Sequence, residues 1–187
     1  MEARFTSPLP PSVNDYLGKK VAYSFGKPYV LVYETIKAKA YKKRMQKILQ
    51  REVINNGWNK TNELQYVICD ITVYLSQKKR DSDNMFKCLL DSFKEADIIY
   101  DDCMIIPRVR DVFIESSNPR IEVELKLADK IGIFENSSEF EKFKENNCYN
   151  CKKYRTYGER CSQLKASIEN RITGDIDVKN LECKLKK

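Results

Sequence analysis

A mixed α/β fold, an α+β arrangement of a small mixed β-sheet packed with two main helices, is predicted for residues 1–130. Three observations predict it. Strand-like and helix-like stretches alternate along this part of the chain. The apolar pattern switches between a period of two and a period near 3.6, and turn residues sit at the switches. After residue 130 the strand pattern largely stops, so residues 131–187 read as a small, mostly helical module containing four cysteines.

The elements follow in order. Leu9-Pro10-Pro11-Ser12-Val13-Asn14 is extended and turn-prone, because each proline biases its predecessor away from helix. Val21–Phe25 and Tyr29–Tyr33 flank Gly26-Lys27-Pro28 and predict a hairpin. From Thr35 to Ile54 the pattern is helical, with Ile36, Ala40, Tyr41, Met45, Ile48, Leu49 and Val53 in one stripe and Asn55-Asn56-Gly57 ending it. Tyr66–Leu75 alternates, with Val67, Cys69, Ile71, Val73 and Leu75 on one face of a half-buried strand. A helix is predicted over Asn84–Ala96, with Asp83 as its N-cap and Met85, Cys88, Leu89, Phe93 and Ala96 inward. Arg108–Ile114 and Arg120–Leu127 read as two further strands. In the tail, Ser138-Glu139-Phe140-Glu141 resembles a capping box, and a second helix is predicted over Glu159–Ile172.

Composition narrows the chemistry. The 187 residues are 42% hydrophobic and 33% charged, with a net charge of +7, which suits a soluble domain with a real core and an anionic partner. No run approaches the ~18 apolar residues of a membrane span, and the N-terminus lacks the apolar core of a signal peptide, so no membrane association and a cytoplasmic location are expected. The seven cysteines should then be mostly reduced, with Cys69, Cys88 and Cys103 acting as small core residues. The chain has no histidine, which excludes a Ser-His-Asp triad, a Cys-His dyad and a histidine-ligated zinc hydrolase.

The most informative cluster is acidic. Asp81, Asp83, Asp101 and Asp102 fall within 22 residues of a basic chain. Clustered carboxylates repel unless a cation lies between them, and oxygen-only sets of this kind suit Mg²⁺ or Mn²⁺ acting on a phosphate ester. In an extended segment Asp81 and Asp83 point the same way, while Asp83, Lys87 and Asp91 share one face of a helix. Caps and solvated turns are the plain alternative for each motif taken singly. Their occurrence together, at a strand end and a helix start, favours a site. A calcium loop starting at Asp81 fails at Met85, Phe86 and Ser92. A sugar-nucleotide transferase lacks room and a glycine-rich phosphate loop.

Lys79-Arg80-Asp81-Ser82-Asp83-Asn84, Lys87, Leu89-Leu90-Asp91 and Tyr100-Asp101-Asp102 resemble the signature of the RusA-type Holliday junction resolvases. Pro10-Pro11-Ser12-Val13-Asn14-Asp15-Tyr16 is similar to the opening motif of the same family, and the resemblance covers about residues 5–127. It implies a RusA-like fold and a homodimeric, Mg²⁺- or Mn²⁺-dependent endodeoxyribonuclease of bacterial or phage origin. Such an enzyme resolves four-way DNA junctions by paired nicks in recombination and repair. It also implies that Asp81, Asp83 and Asp102 are the essential metal-binding carboxylates, with Asp101 beside them, and that Lys87 is the functional lysine. Ser82 stands where the family usually has an aliphatic residue. A nuclease selective for other branched DNA, and a junction-binding protein that does not cut, are the alternative functions.

Two features lie around this core. Lys42, Lys43 and Lys47 belong to a strongly basic first helix, and Lys78, Lys79 and Arg80 directly precede the acidic cluster; all six are candidate phosphate contacts. An ordinary solvated face is the alternative for the helix. In the tail, Cys148 and Cys151 form a C-x2-C knuckle, followed by Cys161 and Cys183 after nine and twenty-one intervening residues. Four thiols suit a structural Zn²⁺, although zinc sites more often end in a second close pair. Reduced thiols and disulfide chemistry are the other readings.

Overall fold

The computed structural model describes residues 1–78 and 83–186, without the side chain of residue 83. These residues divide into two compact units, Met1–Asn62 with Val67–Leu127, and Glu63–Tyr66 with Ala128–Lys187.

The first unit begins with strand β1 (Glu2–Pro8), a one-turn helix α1 (Val13–Tyr16), and the hairpin strands β2 (Leu17–Ser24) and β3 (Lys27–Glu34). The hairpin turns at Phe25 and Gly26, whose φ angles of 49° and 75° give the double positive-φ turn that matches strand twist. Helix α2 (Ile36–Leu49) follows, capped by the Thr35 hydroxyl, which accepts from the Ala38 N–H at 3.2 Å. It ends in a π-helical turn at Gln50–Ile54. Strand β4 (Val67–Leu75), helix α3 (Phe86–Glu95), and strands β5 (Ile105–Ile114) and β6 (Arg120–Leu127) complete the unit.

The main sheet runs β1-β6-β4-β5. β6 pairs antiparallel with β1 and β4, and β4 pairs parallel with β5 through the α3 crossover. The mixed sheet with two main helices is therefore the observed fold. Its core is the predicted alternation: Val67, Cys69, Ile71, Val73 and Leu75 meet Met45, Leu49, Val53, Leu89 and Phe93. Trp58 is buried with them, and its indole N–H donates to the Ile98 carbonyl at 3.0 Å.

Several local expectations are corrected. β1 begins at Glu2, where no strand was predicted, and Val13 and Asn14 open helix α1 instead of continuing the extended segment. Ile36 is 87% exposed and Ala40 is exposed, while Ala38 and Lys42 take the inward positions at the start of α2. Cys103 is exposed, not a core residue. The N-cap position of α3 is Met85 and not Asp83, because residues Asp83–Met85 form a separate 3₁₀ turn before the α-helix.

The second unit carries α4 (Ser137–Asn147), α5 (Lys152–Tyr157), α6 (Ser162–Ile168) and a two-residue ribbon, β7 (Ile176–Asp177) with β8 (Glu182–Cys183). The capping box sits two residues earlier than predicted: Asn136 accepts from the Glu139 N–H at 2.9 Å, and Glu139 accepts from the Glu135 N–H at 2.6 Å. The helix predicted over Glu159–Ile172 is shorter at both ends, since Gly158–Arg160 form a 3₁₀ turn and the α-helix covers only Ser162–Ile168. Gly132 has a φ of 56°, and a Cβ there would lie 1.9 Å from the Ser167 carbonyl oxygen, so only glycine lets this loop pack on α6. No described helix is long and apolar enough to cross a membrane.

Candidate active site around helix α3

Helix α3 has a strong division of faces. Cys88, Leu89, Ser92 and Phe93 are buried, while Lys87, Asp91 and Lys94 line the opposite side. Lys87 and Asp91 are one turn apart, and the Lys87 ammonium donates to Asp91 Oδ1 at 2.7 Å. Asp101 and Asp102 reach the same helix from the segment before β5. Asp102 Oδ2 is 3.4 Å from Lys87 Nζ, and Asp101 Oδ2 is 2.5 Å from Lys94 Nζ. Asp101 also starts a 3₁₀ turn at Asp102–Met104, accepting from the Cys103 N–H at 3.2 Å.

The electrostatics follow from these bonds. The Lys94 ammonium, helped by Asp102 and Cys103, holds the Asp101 carboxyl well below the usual carboxylate range. Lys87 is pushed up by its bond to Asp91 and, less, by Asp102, so it remains an ammonium throughout the neutral range. Burial alone would raise Asp91, but bonds from Lys87 and Tyr16 outweigh it and the net shift is downward.

Tyr16 is a site residue that the sequence reading did not identify. It is buried at the end of α1, its hydroxyl donates to Asp91 Oδ2 at 2.5 Å and it lies 3.1 Å from Glu34 Oε1. Burial first, then Asp91, push its pKa upward, so the phenol keeps its proton. The one available signal was its place in the Pro10–Tyr16 motif. The Lys94–Asp101 pair was missed as well, since seven residues separate the partners and no helical spacing links them.

Of the other candidates, Asp81, Lys79 and Arg80 lie outside the described residues, as does the side chain of Asp83. Lys78, Lys43 and Lys47 are exposed, and the last two border an open groove with Gln46, Gln50 and Arg51. Lys42 is a correction. Its side chain is 5% exposed and bonded to Glu34 and Glu95, so its charge is already neutralised and turned away from any phosphate. Cys148, Cys151 and Cys161 are buried and Cys183 half-buried in the second unit.

Among the described residues no three acidic or thiol groups are already gathered to hold an ion. The donor chemistry nevertheless suits Mg²⁺ or Mn²⁺, because every nearby acidic donor is a carboxylate oxygen. Asp102 is one-third exposed and only loosely tied to Lys87, which leaves it open to a harder partner.

Carboxylate oxygens beside a lysine ammonium, on a basic mixed α/β domain, suit the cleavage of phosphodiesters. The model of the family described as endodeoxyribonuclease RusA matches residues 8–126, and the chain belongs to that family of DNA-binding endonucleases, which includes the Holliday junction resolvases of recombination. The match stops short of the cysteine-containing unit. Among curated proteins no match to the chain is found.

Proposed function

We propose that this chain is a homodimeric, metal-dependent endodeoxyribonuclease that resolves four-way DNA junctions by paired nicks, acting in the cytoplasm. The observation that carries the reading is the bridging of Asp91 and Asp102 by Lys87, on two segments that follow the Asp81-Ser82-Asp83 motif in the chain. Asp81, Asp83 and Asp102, with Asp101 beside them, are the residues that would hold the divalent ion. Such an ion would neutralise charge on the scissile phosphate and acidify the attacking water.

The remaining roles belong to the chain. Lys87 is bonded to Asp91 and Asp102, and more than half of its side chain is exposed. When a phosphate enters, the ammonium exchanges Asp102 for a phosphate oxygen and stabilises the charge that develops there. Its raised pKa makes it an electrostatic group and rules it out as the general base. Asp91 fixes the lysine's starting position, and Tyr16 fixes Asp91. Lys78, Lys79 and Arg80 would follow the backbone on either side of the cut.

The dimer is supported by apolar surface that the monomer leaves in water. Val21, Tyr23, Phe25, Val30 and Val32 of the hairpin are exposed, and so are Val112, Phe113 and Ile114 on the edge strand β5. A two-stranded hairpin is marginal alone, and an exposed apolar edge strand favours pairing. Sedimentation should therefore give twice the monomer mass.

The function is tested with a synthetic four-way junction, a duplex and a flap, each with and without Mg²⁺. Symmetric paired nicks in the junction alone, only with metal, are expected. Equal cutting of the flap would move the reading to a general branched-DNA nuclease, and tight binding without cutting would make it a junction-binding protein. Asp83→Asn and Asp102→Asn should each abolish cutting and keep junction binding. Full-rate cleavage by either variant would overturn the site assignment.

A further inference from the structure

The four cysteines of the second unit come from four separate segments and line a single cavity. Cys148 follows the last turn of α4, Cys151 precedes α5, Cys161 precedes α6, and Cys183 ends β8. The cavity between them is about 20 Å³. That is space for one occupant of atomic size.

The scaffold holds these positions firmly. The Cys151 N–H donates to the Cys148 carbonyl at 2.8 Å, which closes the C-x2-C segment into a tight knuckle. Asn147, itself buried, uses both ends of its amide to bring the last cysteine in. Its Nδ2 donates to the Phe143 and Leu181 carbonyls, each at 3.0 Å, and its Oδ1 accepts from the Cys183 N–H at 3.0 Å. A buried polar side chain is thereby committed to fixing β8 beside the end of α4.

The unit also lacks other means of support. Its buried cluster consists of Phe134, Phe143, Leu164 and Ile176 together with Cys148 and Cys161. Its longest helix has 11 residues and its strands have two each. No disulfide joins any of the cysteines. Units of this size with so little core usually rely on a metal or cross-links. Lys153 lines the cavity and offsets the negative charge that four thiolates around a divalent ion would leave.

We propose that Cys148, Cys151, Cys161 and Cys183 bind one structural Zn²⁺ as a tetrathiolate that staples the second unit. Thiolates select a soft or borderline cation, and closed four-sulfur sites are structural zinc sites. Among the described residues no three thiols yet stand at ion-binding separation. Each cysteine turns about a single χ1 angle between staggered positions. Drawing the sulfurs to ~2.3 Å from a common centre therefore takes side-chain rotation around a cavity that already exists. Each thiol releases its proton to solvent as the ion binds. The proposal does not depend on the nuclease reading.

The test is metal analysis of the full-length chain, purified with zinc supplied and no chelator. One zinc per chain is expected, retained by Cys103→Ser, whose thiol lies in the other unit, and lost by Cys161→Ser and Cys183→Ser. A serine variant that fails to fold would lose zinc trivially, so the wild-type chain carries a second measurement. Exchange of Co²⁺ into it should produce the thiolate charge-transfer and tetrahedral absorption bands of a four-sulfur site. Absence of stoichiometric zinc, an octahedral cobalt spectrum, or a mass deficit marking cystines would each overturn the proposal.

Discussion

Two lysines of the first unit are each bonded to a pair of carboxylates, yet their surroundings give them opposite uses. Lys42 is bonded to Glu34 and Glu95 with 5% of its side chain exposed, whereas Lys87 is bonded to Asp91 and Asp102 with 56% exposed. Burial lowers the pKa of Lys42, but the bonds from Glu34, Glu95 and Tyr16 reverse this and leave it strongly raised. A buried ammonium cannot exchange partners without being left desolvated, so it serves the fold. An exposed one can trade a carboxylate for a phosphate at little cost. Tyr16 lies between the two groups, touching Asp91 on one side and Glu34 on the other, with Lys42 5.1 Å above its ring.

Methionine in place of each lysine should separate these uses. Lys87→Met should lower junction cleavage by about 10²–10³-fold, the usual loss for one electrostatic stabiliser, and change stability by less than about 1 kcal/mol. Lys42→Met should do the reverse. Its partners are a third to nearly a half exposed and recover water when the lysine goes, so the cost is about 1–3 kcal/mol, below that of a fully buried pair. At roughly 2–4 °C per kcal/mol this is readable in a melting curve. Equal losses of activity in the two variants, measured well below their melting points, would erase the distinction.

The pH dependence sharpens the same contrast. Glu34 is held below its usual range chiefly by the Lys42 bond, so its share of stability is present above about pH 4.3 and lost as pH falls through its folded value. Lys42 is raised, so its share is complete below about pH 10.4 and lost as pH rises through its folded value. The melting-temperature gap between wild type and Lys42→Met should be flat from about pH 5 to 10 and close at both ends. A gap that changed within the neutral range would mean that another group controls the pair.

Much of this contrast was hidden in the sequence for a physical reason. Periodicity reported the faces of β4 and α3 well, because Leu89 and Phe93 bury along one stripe and Lys87 and Asp91 fall one turn apart on the other. Asp102 was identified from its motif. Lys42 failed because an amphipathic pattern treats every lysine as solvated, and only the arrival of Glu34 from β3 and Glu95 from α3 makes its burial tolerable. Tyr16 failed similarly, since its partners are 18 and 75 residues away. The four cysteines were read as one possible site, but the asparagine that positions Cys183 lies 36 residues from it and carries no motif.

Tyr16→Phe is the smaller test of the link between the two lysines. It removes one hydroxyl from between Asp91 and Glu34, at a stability cost of about 1 kcal/mol. Asp91 then holds Lys87 less firmly, and the cleavage rate should fall about tenfold, as for other groups that orient a site from behind. Junction affinity should not change, because Tyr16 is buried. A fall in affinity with an unchanged rate would instead place Tyr16 at the DNA surface.

The smallest effect belongs to the basic face of α2. Lys43 and Lys47 are exposed there, while Lys42 between two carboxylates is not. Each phosphate contact contributes roughly 0.9 to the slope of log affinity against log salt on duplex DNA. Lys43→Ala with Lys47→Ala should therefore lower that slope by up to about 2, and Lys42→Met should leave it unchanged. A wild-type slope in the double variant would make this face an ordinary solvated one and leave phosphate contact to Lys78 and its neighbours. A reduced slope for Lys42→Met would show that its carboxylate cage opens on DNA, and the two lysines would then differ in degree alone.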